Sequence, residues 1–386
     1  MKCNGVETST HDFIEIEGDS LITYIDPVLD ALPEQSGGSA NQTWIAPGFV
    51  DLQVNGFAGV DYNSPVAAPE EIARSIRAMF STGVTRFFPT VITAAPEDML
   101  AALKNLAGAR EKLAEGPAME AFHVEGPHIS PHDGPRGAHP ARWVRPPDID
   151  EYRRWQDAAQ GNVRLVTLSP EWPESARYIE LLAREGIVTS IGHTRATREQ
   201  IADAVHAGAT LSTHLGNGAD AVLPRHPNYI WEQLAEDKLA ASFIVDGHHL
   251  PDSFLRVALR AKGVERSILV TDAVMPALCA PGPYRLGEVE VELQDDQRVV
   301  LRGGTRLAGS SLRMDAAISN VMRVAGLSLT EAIAMATVNP ARVGRIGGRV
   351  RGLRPGDRAD VVRFRMEDGG IQVLETYLSG ERVFVS

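Results

Sequence analysis

Four short apolar runs in this chain each end on a side chain able to bind a proton or a metal ion. "EAFHVEG" (120–126) carries Glu125, "IVTSIGHT" (187–194) carries His193, "ATLSTHLGN" (209–217) carries His214 and "SILVTDAV" (267–274) carries Asp272. A carboxylate at the end of an apolar segment costs free energy unless something positive or hydrogen-bonding holds it. One carboxylate and two imidazoles form a three-ligand set that suits a single zinc ion and leaves one coordination position for water. Fe2+, Co2+ or Mn2+ accept the same donors, because affinity order alone does not select among them. Asp272, on a separate run, is then placed as a general base. A further run, "ASFIVDGHH" (241–249), leads into Asp246, His248 and His249. His123 lies one layer below Glu125, as a supporting partner of the site or as a packed core histidine. His206 falls on a helix-like segment and reads as structural, and His11 and His132 have no supporting context.

Residues so far apart meet only if the elements carrying them converge. Strand-like runs at 49–56, 84–92, 120–126, 163–171, 187–194, 209–217, 241–249 and 267–274 alternate with amphipathic segments at 70–81, 97–114, 174–185, 197–207 and 251–262. That alternation predicts a parallel sheet covered by helices, and eight such strands predict a closed (β/α)8 barrel, whose strand C-termini gather around one axis. Side chains alternate along a strand. If Phe122 and Val124 face the helices, His123 and Glu125 face the axis, and the same parity pairs Ile191 with His193 and Val270 with Asp272. No GxGxxG follows the first strand, which opposes a dinucleotide site.

Both ends break the rhythm. Residues 1–46 and 341–386 are β-rich and are expected to form one small β-sandwich domain, with the catalytic barrel (47–340) inserted between them. Hairpin-like strands at 283–308 follow strand eight and are expected as a flap near the barrel mouth, and helices near 312–325 and 329–337 close the barrel side. At 386 residues, 44% hydrophobic and 23% charged, the composition is globular. A net charge of −12 opposes nucleic acid as a partner but not a small anionic substrate, since local charge in a pocket can oppose the global sign. The only cysteines, Cys3 and Cys279, form no CxxC pair and read as reduced thiols of a cytoplasmic protein. No apolar run reaches membrane-spanning length, and the N-terminus lacks the apolar core of a secretory signal.

The segments "PGFVDLQVNG", "FHVEGPHISP…GAHP", "GHTRAT", "STHLGNG", "VDGHHL", "LVTDAV" and "LAGSSLRM", in this order and spacing, resemble the N-acetylglucosamine-6-phosphate deacetylase family of the amidohydrolase superfamily. The resemblance implies a (β/α)8 barrel with a small β domain from both termini. It implies metal ligands at Glu125, His193 and His214, a catalytic aspartate at Asp272 and a carbonyl-contacting histidine at His139. Sugar-phosphate contacts would fall at Asn217 and Gly218 through the backbone, and at Arg225 and His249. Arg225 is expected near or across the interface of a homodimer. Where many superfamily members bind two metals through His-x-His after strand one, this chain has Gln53 and Asn55, which points to one metal. The implied activity is amide hydrolysis of an acylated amino-sugar phosphate in amino-sugar catabolism. Two departures bear on which amide is cut. "HLGNGAD" stands where the family often has "HLFNAM" or "HLYNAM", and "HPNYIW" follows Arg225, so that His226, Tyr229 and Trp231 would alter the pocket wall or the dimer contact. Competing readings are a deacetylase for N-acetylgalactosamine-6-phosphate, another acylated amino sugar or an N-acyl-D-amino acid, and a catalytically silent barrel that only binds. A ring-opening amidohydrolase would need a two-metal centre, which Gln53 and Asn55 oppose.

Overall fold

Runs that are apolar on both faces and bounded by glycine or a turn form the inner ring of the molecule. In the computed structural model, which describes residues 1–28 and 42–386, these are β1 (Phe49–Val54), β2 (Val84–Ile92), β3 (Phe122–Glu125), β4 (Val163–Leu168), β5 (Val188–Ile191), β6 (Leu211–Ser212), β7 (Ala240–Phe243) and β8 (Ser267–Leu269). They form one eight-stranded sheet in chain order, each strand parallel to the next. The ring closes just above β1 and β8. There Asp272 N–H donates to the Gln53 carbonyl (3.0 Å) and Asn55 N–H to the Ala273 carbonyl (2.8 Å).

A helix follows each strand: α1 (Pro69–Phe80), α2 (Pro96–Lys112), α3 (Ile149–Ala158), α4 (Ser175–Arg184), α5 (Arg198–Ala207), α6 (Tyr229–Ala235), α7 (Asp252–Lys262) and α8 (Met314–Ala325). Their starts are encoded locally. Asp148 accepts the N–H groups of Asp150 and Glu151, Thr197 and Gln200 cap α5 reciprocally, and Asn228 caps α6. The sequence pattern left α3 and α6 unassigned. The first, "IDEYRRWQDA", buries few apolar residues beyond Tyr152 and Trp155, and the second has only 7 residues, so neither displays a sustained helical period.

Strands from both ends form the second layer. Val361–Glu367, Gly370–Leu378 and Glu381–Val385 join through Trp44–Pro47 to Lys2–Glu7, Phe13–Gly18 and Ile22–Pro27 in one seven-stranded sheet. The expected sandwich is thus one continuous sheet that folds over its own core. Ile22 N–H donates to the Asp357 carbonyl (2.8 Å) and Gly356 N–H to the Ile22 carbonyl (2.7 Å), so the edge strand Ile22–Pro27 meets the segment leading into Val361–Glu367 over a core that includes Ile16, Ile45 and Val361. Of the N-terminal segment, residues 29–41 lie outside the described residues. The 283–308 excursion forms a three-stranded antiparallel sheet (Gly282–Leu286, Val289–Leu293, Val299–Leu301). Among the described residues no helix is long and apolar enough to cross a membrane.

Candidate metal centre and active site

Glu125 ends β3 with its side chain toward the barrel axis, as strand parity predicts. Its Oε1 lies 2.9 Å from His214 Nε2 and 3.2 Å from His193 Nε2, and all three residues are buried. His193 Nδ1 is 2.8 Å from the Pro135 carbonyl. A carbonyl only accepts, so Nδ1 carries a proton, and Nε2 is the ring nitrogen turned toward Glu125 and available to a cation. Two imidazole nitrogens and one carboxylate oxygen converging in this way fit a divalent cation. His193, His214 and Asp272 all have positive φ (49°, 30° and 50°), a backbone region that non-glycine residues seldom occupy. Each lies just beyond its strand, where that turn swings the side chain back over the axis. Two glycines make room for the His193 ring. A Cβ on Gly218 (φ +56°) would lie 2.8 Å from Nδ1, and one on Gly137 (φ +61°) 3.2 Å from Cε1.

Asp272 is held by two amides of β1 and its extension. Gln53 Nε2 donates to Asp272 Oδ1 and to Glu125 Oε2 (3.0 Å each), and Asn55 Nδ2 donates to Asp272 Oδ1 (2.6 Å). Glu125 is therefore left with Oε1 for the imidazoles, and Asp272 with Oδ2 for the adjoining cavity. Burial, and next the charge of Glu125, push the Asp272 carboxyl up to about 6, the direction expected for a desolvated acid beside another acid. Sequence reasoning treated Gln53 and Asn55 only as failed metal ligands. The signal that could have found them is parity, since Asp51, Gln53 and Asn55 alternate on one strand.

A cavity of about 340 Å³ opens over these groups and is also lined by His139, Asn217, Gly218 and His249. His139 Nδ1 lies 2.8 Å from Thr93 Oγ1. Burial, then neighbouring His193, push the ring down to about 3. A neutral ring accepting the Thr93 hydroxyl at Nδ1 presents Nε2–H to the cavity. His249 Nδ1 lies 2.6 Å from Asp246 Oδ2, while Asp246 Oδ1 accepts the N–H groups of His248 and His249 (2.8 Å each). Burial opposes ionisation of Asp246, but these bonds outweigh it and hold its carboxyl below the usual range. Thr93 and Asp246 are supports to which the sequence reading gave no role. Arg225 is exposed on the loop before α6 and is not among the residues lining this cavity. His123 stays in the layer beneath, its Nε2 2.8 Å from Thr167 Oγ1, and burial pushes it down to about 4.

The sequence departures pack differently from a simple loss of wall. The room beside Gly216 is occupied by Phe254 of α7 and by Leu250, which a Cβ would approach to 2.7 and 2.8 Å, so this position does not widen the cavity. The Tyr229 hydroxyl accepts the Asp220 N–H (2.7 Å) and donates to Asp220 Oδ2 (3.0 Å), and Asp220 also pairs with Arg195. Tyr229 thereby anchors the loop that presents Asn217 and Gly218. His226 is exposed and Trp231 is 48% exposed. The flap reaches the site as expected: Leu286, Val289 and Arg306 line the cavity. Arg306 pairs with Asp133 (2.9 and 3.2 Å), on the loop that carries His139.

The amidohydrolase family model matches residues 44–383. A human N-acetylglucosamine-6-phosphate deacetylase (Homo sapiens) is 35% identical over 358 residues, spanning 88% of this chain and 83% of its own length. An N-acetylgalactosamine-6-phosphate deacetylase from Escherichia coli O157:H7 is 31% identical over 364 residues, 94% of this chain and 92% of its own. The crystal structure of an N-acetyl-D-glucosamine-6-phosphate deacetylase mutant from Mycobacterium smegmatis, in complex with N-acetyl-D-glucosamine-6-phosphate, superposes with a TM-score of 0.86 at 30% identity, covering 97% of this chain and 94% of that one. With a family model that spans most of its length and relatives at this identity from end to end, the chain belongs to the amidohydrolase family, in the group of N-acetylglucosamine-6-phosphate deacetylases.

Proposed function

We propose that this protein hydrolyses the acetamide of N-acetylglucosamine-6-phosphate, giving glucosamine-6-phosphate and acetate, with one divalent cation, zinc, held by Glu125, His193 and His214. The observation that carries this reading is that His139, Asp272 and the ligand triad line one cavity. When bound, the cation supplies positive charge that polarises the acyl carbonyl and makes a water acidic enough to attack near neutral pH. The Nε2–H of His139 donates to the carbonyl oxygen, a preorganised contact of about 3 kcal/mol as its charge develops. Asp272 Oδ2 takes the proton of the attacking water, because Gln53 and Asn55 already occupy Oδ1. The same oxygen then hands the proton to the amide nitrogen, which leaves only once protonated. His249 and the backbone at Asn217 and Gly218 take the sugar-phosphate end, distant binding that supports orientation at the reacting carbon. Arg225 completes the phosphate site of a neighbouring copy in a homodimer, in keeping with its exposure outside this chain's cavity. A cytoplasmic setting accords with the free thiols of Cys3 and Cys279.

The similarity to an N-acetylgalactosamine-6-phosphate deacetylase supports that epimer as the second reading. The test is acetate release by purified protein of known metal content, with N-acetylglucosamine-6-phosphate, its galacto epimer and unphosphorylated N-acetylglucosamine. The 6-phosphates are expected to be cut with kcat/KM at least about 100-fold above the free sugar. Equal rates with and without phosphate would remove the sugar-phosphate assignment, and His193→Ala or His214→Ala protein that keeps full metal after dialysis would remove the ligand set.

A further inference from the structure

The substrate reading above leaves the acyl side of the cavity without a role, and that side differs in character from the sugar side. Asn217 and Gly218 follow β6 and His249 follows β7, whereas Ile92 ends β2, across the barrel from β6. In an amide the nitrogen and the acyl chain lie on opposite sides of the carbonyl carbon. A sugar held beyond β6 and β7, with its carbonyl over the metal ligands and His139, therefore directs its acyl chain toward β2. The wall it meets is apolar: Ile92, together with Leu286 and Val289 on either side of the Gly287–Glu288 turn of the flap. These three residues also line a second cavity of about 760 Å³ and so stand between the two; the second cavity reaches Val60, Ala67 and Met275. Its lining carries the carboxylates Asp61, Glu71, Asp98 and Glu288 against one cation, Arg285, a net negative charge that would repel an acyl chain ending in a carboxylate.

We propose that the Ile92–Leu286–Val289 gap is an acyl-chain port, and that the protein accepts uncharged straight-chain N-acyl groups longer than acetyl, such as propionyl and butyryl, on the same amino-sugar phosphate. This inference rests on the deacetylase reading and extends it from one acyl group to a class. The chemistry is unchanged: water adds to the acyl carbon, the C–N bond breaks, the proton goes to the amine, and the products are the free carboxylate and the amino-sugar phosphate. Leu286 and Val289 are specificity-determining, and added methylenes pass between them and Ile92 toward the second cavity.

The experiment compares kcat/KM for N-acetyl-, N-propionyl-, N-butyryl- and N-succinyl-glucosamine-6-phosphate with the full-length metal-loaded enzyme. The butyryl substrate is expected within about tenfold of the acetyl one, and the succinyl substrate at least about 100-fold below it. Val289→Trp, at a half-buried hairpin position, is expected to lower the butyryl-to-acetyl ratio about tenfold or more, and Leu286→Ala to raise it. Acetyl cleavage with butyryl more than about tenfold slower, or a ratio that neither variant moves, overturns the port and leaves the deacetylase reading standing. Failure to cleave any member of the series overturns both.

Discussion

At the scale of single residues, the site depends on which oxygen of each carboxylate is left free. Gln53 occupies Glu125 Oε2 and shares Asp272 Oδ1 with Asn55, so one amide side chain sets the orientation of both acids. Replacing Asp272 by Asn preserves the acceptor that both amides need, and it touches none of the three proposed metal ligands. It removes the oxygen to which the proposed mechanism assigns the uptake and return of the proton. Asp272→Asn is therefore expected to keep its metal and its fold while kcat drops about 10²–10⁴-fold. Elemental analysis alongside steady-state kinetics checks this, and turnover within a few-fold of the parent would show that another group moves the proton. The positive φ at His193, His214 and Asp272 belongs to the same scale, because local strain is retained where the side chain has one useful direction.

At the scale of elements, the decisive feature is the seam between β1 and the end of β8. Asp51 stands there, fully buried, accepting the Thr271 hydroxyl (2.6 Å) and the N–H groups of Thr271 and Gln53 (3.2 Å each). It ties the strand bearing Gln53 to the one bearing Asp272. Burial pushes its carboxyl up to about 7, against the hydrogen bonds that favour the ion. Between the ordinary aspartate value of about 3.9 and that raised value, the folded protein binds more protons than the unfolded chain, so the stability contributed by Asp51 falls as pH rises through this window. Asp51→Asn keeps acceptors for the two N–H groups and removes the titration. Its stability relative to the parent is expected to rise on the order of 3 kcal/mol between about pH 5 and about pH 8. Urea unfolding of both proteins across that range measures it, and a flat difference would show that Asp51 stays ionised in the seam.

At the scale of the whole molecule, barrel and terminal sheet are joined through buried charge. Asp360, at the entrance to the strand Val361–Glu367, pairs with Arg86 of β2 (2.6 Å), Arg358 (2.7 Å) and Arg349 (3.5 Å). Asp360 and Arg349 are wholly buried and Arg86 nearly so. Burial works against the Asp360 charge, but three guanidiniums outweigh it and hold the carboxyl below its usual range, while burial first of all pushes Arg349 down to about 10. Removing the shared anion takes the ion-pair partner from the wholly buried Arg349 and leaves Arg86 with the longer contact to Glu120 (3.6 Å). Asp360→Ala is expected to cost about 3–5 kcal/mol of unfolding free energy, read by denaturant titration. A loss under about 1 kcal/mol would mean that water reaches the arginines and that the cluster does not fasten the two layers.

The sequence by itself determined the barrel and the strand-end residues. Hydrophobic period, strand parity and turn residues are local properties that chain neighbours already fix, so Glu125, His193, His214 and Asp272 could be read from the four runs that bear them. His139 came from resemblance, and its support by Thr93 did not. What the tertiary structure alone decided are relations between distant positions. Gln53 meets Asp272 across 219 residues of chain, and Phe254 fills the room beside Gly216. The flap brings Leu286 into the lining of the cavity that Ile92 of β2 also borders. Such contacts are set by how the ring of strands closes, which sums packing over every element, and no short window of sequence contains that sum.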